Sequence, residues 1–133
     1  MSEVLAFLEK RKGRLTGLVV TGGEPTLQGG LPQFLTAVKA LGLAVKLDTN
    51  GSRPEVVESL LADGGVDYVA MDIKAPEEKY DRLCGCPVDL SAIGRSIDLI
   101  GTGGVAHHFR TTFYRALLTE SDIAEIRDRI PVH

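Results

Sequence analysis

The stretch Leu18-Val-Val-Thr-Gly-Gly-Glu-Pro25 decides how the rest of the chain is read. A short apolar run meets two glycines, a carboxylate and a proline, and helical sequence follows: a strand tip opening into a tight βα loop. Paired glycines let the backbone approach a ligand or take dihedrals closed to other residues. Pro25 fixes its own φ and drives Glu24 toward an extended shape, so the Glu24 carboxylate and the Gly22–Gly23 backbone keep one fixed relation. Carboxylate and carbonyl acceptors at a strand end suit an ammonium group better than a phosphate, and no Lys or Ser/Thr follows in phosphate-loop spacing. Taken alone, these residues also fit a plain βα turn.

Outward from this loop, the same pattern recurs. Val4, Leu5 and Leu8 mark a first helical face, with Ser2 as its cap, Phe7 beside it and Gly13 as its stop. Leu15 to Thr21 reads as a buried strand, and Leu31, Phe34, Leu35, Val38 and Leu41 then repeat at helical spacing up to Gly42. Leu43 to Asp48 is the second strand. Thr49-Asn50-Gly51 ends it, and Pro54 starts a helix with Val57, Leu60 and Leu61 inward. Val66 to Met71 is the third strand, followed by Asp72-Ile73-Lys74 and a short helix over Glu77 to Leu83. Asp89 caps a helix carrying Leu90, Ile93, Ile97 and Ile100, which Gly101-Thr-Gly-Gly104 breaks. Val105 to Thr112 is the fourth strand. Thr119 and Asp122 stand in capping-box spacing ahead of Ile123, Ile126 and Ile130.

Strands separated by helices of this length predict an α/β fold of about four parallel strands with right-handed connections and outer helices, in a single domain over residues 1–133. A small open sheet and an arc of a barrel both satisfy that pattern. Glu24, Asp48, Thr49, Asn50, Asp72, Lys74, His107, His108 and Arg110 fall at strand ends or in the last strand, and in βα folds the carboxyl ends of the strands form the ligand face. Asp48 and Asp72 also fit loop capping, and Lys46 reads as a solvated strand residue. His107 and His108 are adjacent, so they point to opposite faces.

Composition narrows the function. Fifteen basic against eighteen acidic residues give a charge of -3, which offers nucleic acid no general attraction. No apolar run is long enough to cross a bilayer, and Met1-Ser2-Glu3 lacks an export signal, so the expected compartment is the cytoplasm. The two cysteines, Cys84 and Cys86, are too close for an ordinary staple and too few for a cysteine-ligated cluster or closed zinc site. They read as reduced loop thiols, and no metal ligand or catalytic residue is assigned. A nucleophile elbow, a phosphate loop and a dinucleotide fingerprint are all missing, which disfavours a small βα hydrolase or transferase.

With these segments in order, the chain resembles the radical S-adenosylmethionine enzymes, most closely the activating proteins of anaerobic ribonucleoside-triphosphate reductase and other glycyl-radical enzymes. The resemblance rests on Gly22-Gly23-Glu24-Pro25, Thr26-Leu27-Gln28, Lys46-Leu-Asp-Thr-Asn-Gly51, Asp67-Tyr-Val-Ala-Met-Asp-Ile-Lys-Ala-Pro76 and Phe109-Arg-Thr-Thr112. It implies a piece of a six-unit partial barrel. Gly22, Gly23, Glu24 and Pro25 would receive the cofactor's amino group, while Asp48, Thr49 and Asn50 would stand beside its ribose or the metal-side wall. Asp72 and Lys74 would lie near its carboxylate, with His108 and Arg110 on the last strand.

The family's three-cysteine iron-binding signature is not found in these residues. In the family, three thiolates hold a [4Fe-4S] cluster that donates an electron to S-adenosylmethionine, and the resulting radical takes a hydrogen from a glycine of the partner enzyme. The expectation is therefore a truncated activating protein, inactive by itself, with S-adenosylmethionine binding weak or lost and the cluster confined to the full-length family. Its partner would be a glycyl-radical enzyme such as anaerobic ribonucleoside-triphosphate reductase. Self-association through exposed strand edges is also expected. The competing reading is a non-catalytic binding or scaffold protein on the same fold.

Overall fold

The computed structural model describes residues 2–131. Four strands, β1 (Gly17–Val20), β2 (Ala44–Thr49), β3 (Tyr68–Asp72) and β4 (Ala106–Arg110), form one parallel sheet in the order β1-β2-β3-β4. The helices are α1 (Ser2–Glu9), α2 (Leu31–Ala40), α3 (Pro54–Ala62), α4 (Glu77–Cys84), α5 (Leu90–Thr102) and α6 (Glu120–Asp128), and a 3₁₀ turn covers Pro25–Leu27. No helix among the described residues is long and apolar enough to cross a membrane.

Neighbouring strands follow one another in the chain, so each right-handed crossover delivers its helix to the same side of the sheet. Alternation along the strands agrees. Val45, Leu47, Val69 and Met71 are buried in the same core as Leu35 and Ile97 of the helices. The intervening residues, Val19, Lys46, Asp48, Tyr68, Ala70, Asp72, His108 and Arg110, occupy the opposite face, with Lys46 paired to Tyr68, Asp48 to Ala70, Ala70 to His108 and Asp72 to Arg110. That face carries charge and has no helix layer of its own, as in the wall of a barrel.

Local chemistry sets the element ends. Pro54 occupies the first turn of α3, where its missing N–H costs nothing. The Asp89 carboxylate accepts from Ala92 N at 3.1 Å to start α5. Thr119 and Asp122 make the reciprocal capping box on α6, as their spacing predicts. At the amino end of the sheet, the Asp67 carboxylate accepts from Val45 N at 2.7 Å and from Lys39 Nζ at 2.6 Å, tying α2, β2 and β3 together.

Three sequence expectations are corrected. The first helix stops at Glu9, before Gly13, and of its apolar residues Leu8 is buried while Val4 and Phe7 are exposed; the Arg11 guanidinium lies 4.2 Å over the Phe7 ring. The cap expected of Ser2 falls on a side chain outside those described. Helix α5 runs through Gly101 to Thr102, because Gly101 is buried against Pro131 and tolerates the helical backbone there.

Candidate functional site

The Gly22–Gly23 turn projects from the end of β1 and is fastened by Glu24. The Glu24 Oε1 atom accepts from Thr26 N at 3.1 Å, Thr26 Oγ1 at 2.5 Å and Thr49 Oγ1 at 2.8 Å, while Oε2 accepts from Asn50 N at 2.6 Å. Glu24 is buried, so these donors replace the water that a carboxylate would otherwise hold. Its first consequence is structural: one side chain locks the β1 loop to the end of β2. An ionised carboxylate has about four acceptor positions, and with three donors on Oε1 and one on Oε2, Oε2 keeps room for another.

The β2 end is equally constrained. Thr49 Oγ1 accepts from Gly51 N at 3.1 Å, Asn50 Oδ1 accepts from Ser52 N at 2.9 Å, and Ser96 Oγ donates to Gly51 O at 2.7 Å. Gly51 has φ of 75°, and a Cβ there would lie 2.1 Å from the Met71 Cε atom. The turn requires glycine both for its dihedral and for its space.

Across the sheet mouth the charged residues alternate in sign. Lys46 Nζ lies 3.0 Å from Asp48 Oδ1, Asp48 Oδ2 lies 3.2 Å from an Arg110 terminal nitrogen, Arg110 Nε donates to Asp72 Oδ1, and Asp72 Oδ2 accepts from Lys74 Nζ at 2.7 Å. Arg110 thus reaches from β4 past β3 to β2. Burial pushes the Asp48 carboxyl up, but Lys46 and Arg110 outweigh it and hold it below the usual carboxylate range. Burial likewise opposes the ionised form of Asp72, and the hydrogen bonds from Lys74 and Arg110 win. The bond to Asp72 raises the Arg110 guanidinium in turn. Both carboxylates are therefore anionic at neutral pH. Asp48 Oδ1 is buried and makes no well-directed hydrogen bond; its partner is the Lys46 ammonium 3.0 Å away.

Thr21, Gly22, Gly23, Glu24, Asp48, Thr49, Asn50, Asp72, Lys74 and Arg110 line one cleft of about 230 Å³. Of the residues singled out in the sequence, Pro25 lies beside it in a separate groove with Val20 and Phe34. His108 stands on the same sheet face one step below Arg110 on β4, with Nδ1 3.0 Å from the Tyr68 hydroxyl. His107 turns the other way, toward Phe109, with Nδ1 2.8 Å from Val105 O. Lys46 is not simply solvated; its position two residues before Asp48 places it on the cleft face, and that spacing is the signal by which it could have been found. Thr26 was visible only as part of a motif, and its role as a Glu24 partner comes from the 3₁₀ turn.

The donor set fits the amino-acid end of a ligand: acceptors at Glu24 Oε2 and the glycine carbonyls for an ammonium, and Lys74 and Arg110 for a carboxylate. It does not fit an iron–sulfur cluster. Among the described residues no three His, Cys, Asp or Glu side chains converge to hold a metal, and Cys84 and Cys86 are exposed at the end of α4.

Comparison with known proteins agrees with the fold. The sequence model of the radical SAM superfamily matches residues 1–130. A putative glycyl-radical enzyme activating enzyme of Methanocaldococcus jannaschii is 39% identical over 114 residues, covering 82% of this chain and 48% of the relative. A 7-carboxy-7-deazaguanine synthase of Neisseria meningitidis serogroup B is 36% identical over 85 residues, covering 63% of this chain and 36% of the relative. The chain thus spans about half or less of the length of these relatives. A domain of pyruvate-formate lyase-activating enzyme from Bacteroides vulgatus superposes with a TM-score of 0.68 at 21% identity, over 85% of this chain and 70% of that one. Native anSMEcpe with bound AdoMet superposes with a TM-score of 0.61 at 21% identity, over 82% and 34%. Both likenesses are of fold. Four consecutive parallel strands with helices on one side, the Gly-Gly-Glu-Pro loop at the sheet mouth and a family match over nearly every residue together place this chain in the radical SAM superfamily.

Proposed function

We propose that these residues form the cofactor-facing wall of a glycyl-radical enzyme activating protein, of the kind that serves anaerobic ribonucleoside-triphosphate reductase. The observation that carries this reading is the cleft itself: Glu24 ties two strand-end loops together and keeps acceptor capacity at Oε2, and Lys74 and Arg110 line the same cleft. A scaffold protein would need neither spare acceptor capacity at one mouth nor a continuous charge row to hold its turns.

In this reading the ammonium of S-adenosylmethionine is received by the Gly22 and Gly23 carbonyls with Glu24 Oε2. Asp48, Thr49 and Asn50 face its ribose side, and Lys74 and Arg110 face its carboxylate. In the family, S-adenosylmethionine supplies the hydrogen-abstracting group once an iron–sulfur cluster gives it an electron. The residues here orient and neutralise the ligand; no thiolate set among them holds the cluster. The 133 residues by themselves are therefore inactive in reductive cleavage and bind S-adenosylmethionine weakly. The edges of β1 and β4, each paired on one side among the described residues, are where further strands or a second copy would add. A cytoplasmic location suits this chemistry.

Calorimetric titration tests the reading. S-adenosylmethionine is expected to bind in the high micromolar to millimolar range, roughly −4 to −5 kcal/mol, and Asp48→Asn with Arg110→Met to abolish the heat. No heat from the parent chain, or equal heat from the double variant, would favour the scaffold reading.

A further inference from the structure

Cys84 and Cys86 take no part in the cleft, yet their surroundings are specific. Helix α4 ends at Cys84 with Gly85 in the left-handed conformation, φ 72° and ψ 12°. The turn is pinned twice by Asp81: its carbonyl accepts from Gly85 N at 2.8 Å, and its carboxylate accepts from Val88 N at 2.9 Å. An extended three-residue segment would set the outer Cα atoms about 7 Å apart, at the limit for a disulfide, and a helical-type bend at the middle residue shortens this to roughly 5.5 Å. Gly85 makes that bend without a Cβ penalty.

Both thiols are free and exposed. Together they line a cavity of about 310 Å³ that also includes Asn50, Ser52, Lys74 and Tyr80. Asn50 and Lys74 belong to the cofactor cleft as well, so the two sites share a wall. Lys74, about one-third exposed, brings a cation to a thiol-lined cavity.

We infer that Cys84 and Cys86 form a dithiol site that exchanges two electrons with low-molecular-weight disulfides bearing a carboxylate, which seat in this cavity against Lys74. Cys84 closes the last turn of α4, whereas Cys86 stands in the turn beyond it and makes the first attack. The Cys86 thiolate attacks one sulfur of the small disulfide, forming a mixed disulfide and releasing one small thiolate, which takes up a proton. Cys84 then loses its proton, attacks the Cys86 sulfur and expels the second small thiol. The protein dithiol is oxidised by two electrons and the small disulfide is reduced to two thiols. The resulting ring has one residue between its cysteines, which makes it labile and exchangeable rather than a structural staple.

Intact-mass spectrometry in glutathione buffers of graded ratio tests this on the whole chain. The expected result is an intramolecular loss of two hydrogens with no lasting adduct, whereas Cys84→Ser stops at one glutathione on Cys86. A Lys74→Met variant should slow exchange with oxidised glutathione several-fold more than exchange with uncharged hydroxyethyl disulfide. Three outcomes would overturn the inference: two thiols still free in oxidised glutathione, a stable adduct on the parent chain, or a peptide of residues 81–89 exchanging at the same ratio and rate. None of these results depends on S-adenosylmethionine binding.

Discussion

Arg110 on β4 holds Asp48 on β2 at 3.2 Å, although β3 lies between them. The crossing is possible because the residue between them on β3 is Ala70, which pairs with Asp48 and has no side chain long enough to block the guanidinium. The contact couples β2 to β4 across β3 and sets the positions of both carboxylates in the cleft. Asp48 is 14% exposed and Arg110 43%, so the pair is only partly screened. A double-mutant cycle with Arg110→Met and Asp48→Asn should give a coupling of about 0.5–1 kcal/mol by urea unfolding. The same cycle at Arg127–Asp128, exposed at both partners, should give about zero.

Glu24 carries more stability than its neighbours because four donors converge on it in a buried position. Glu24→Ala strands the Thr26 and Asn50 amide groups and two hydroxyls, and is expected to cost about 3 kcal/mol. Glu24→Gln keeps one acceptor oxygen and should cost about half of that. Urea midpoints of the two variants against the parent chain measure both values.

Gly51→Ala tests the β2 turn. The new methyl would overlap Met71 Cε and crowd Ser96 Cβ, at a φ of 75°. Strain and overpacking together should destabilise by about 2–4 kcal/mol. Gly64→Ala, also at positive φ but with open space around it, should cost about 1 kcal/mol. Thermal melts of the two variants separate the packing contribution from the backbone contribution.

Much of this was legible in the sequence. Four short apolar runs, each followed by a helical run, mark the strands, and Pro54, Asp89 and Thr119 mark helix starts that the structure keeps. Gly22, Asp48 and Asp72 fall at one end of the sheet because parallel strands all end there. What the sequence could not carry was pairing between loops. That Glu24 is held by Thr49 and Asn50, or that Arg110 reaches Asp48, depends on strand register, which no single segment encodes. Lys46 reads as a solvated strand residue for a related reason: only the fold shows that its own face of the sheet is a charged wall on which it pairs with Asp48.

At the other end of the chain, α6 is held by Asp122, which accepts from Lys79 Nζ at 2.7 Å and from Thr119 N at 2.6 Å. Lys79, with the Thr119 backbone and hydroxyl, lowers its pKa to about 2. A folded value below the ordinary 3.8 means that this stabilisation is complete above that value and is lost as pH falls from about 4 toward 2. Asp122→Asn should therefore be less stable at pH 7 and show a flatter decline over that acid window, measured by urea unfolding at each pH.

The most direct measurement is a two-dimensional amide nitrogen–proton spectrum of the isotope-labelled chain, titrated with S-adenosylmethionine and, separately, with adenosine. The expected result is saturable shifts with S-adenosylmethionine at Thr21 to Glu24, Asp48 to Gly51, Asp72 to Lys74 and Arg110. Adenosine, lacking the amino-acid end, should leave the Gly22–Gly23 amides in place. Silence at those residues at millimolar S-adenosylmethionine, or shifts confined to the groove between Phe109 and Ile126, would contradict a cofactor-facing wall at the sheet mouth.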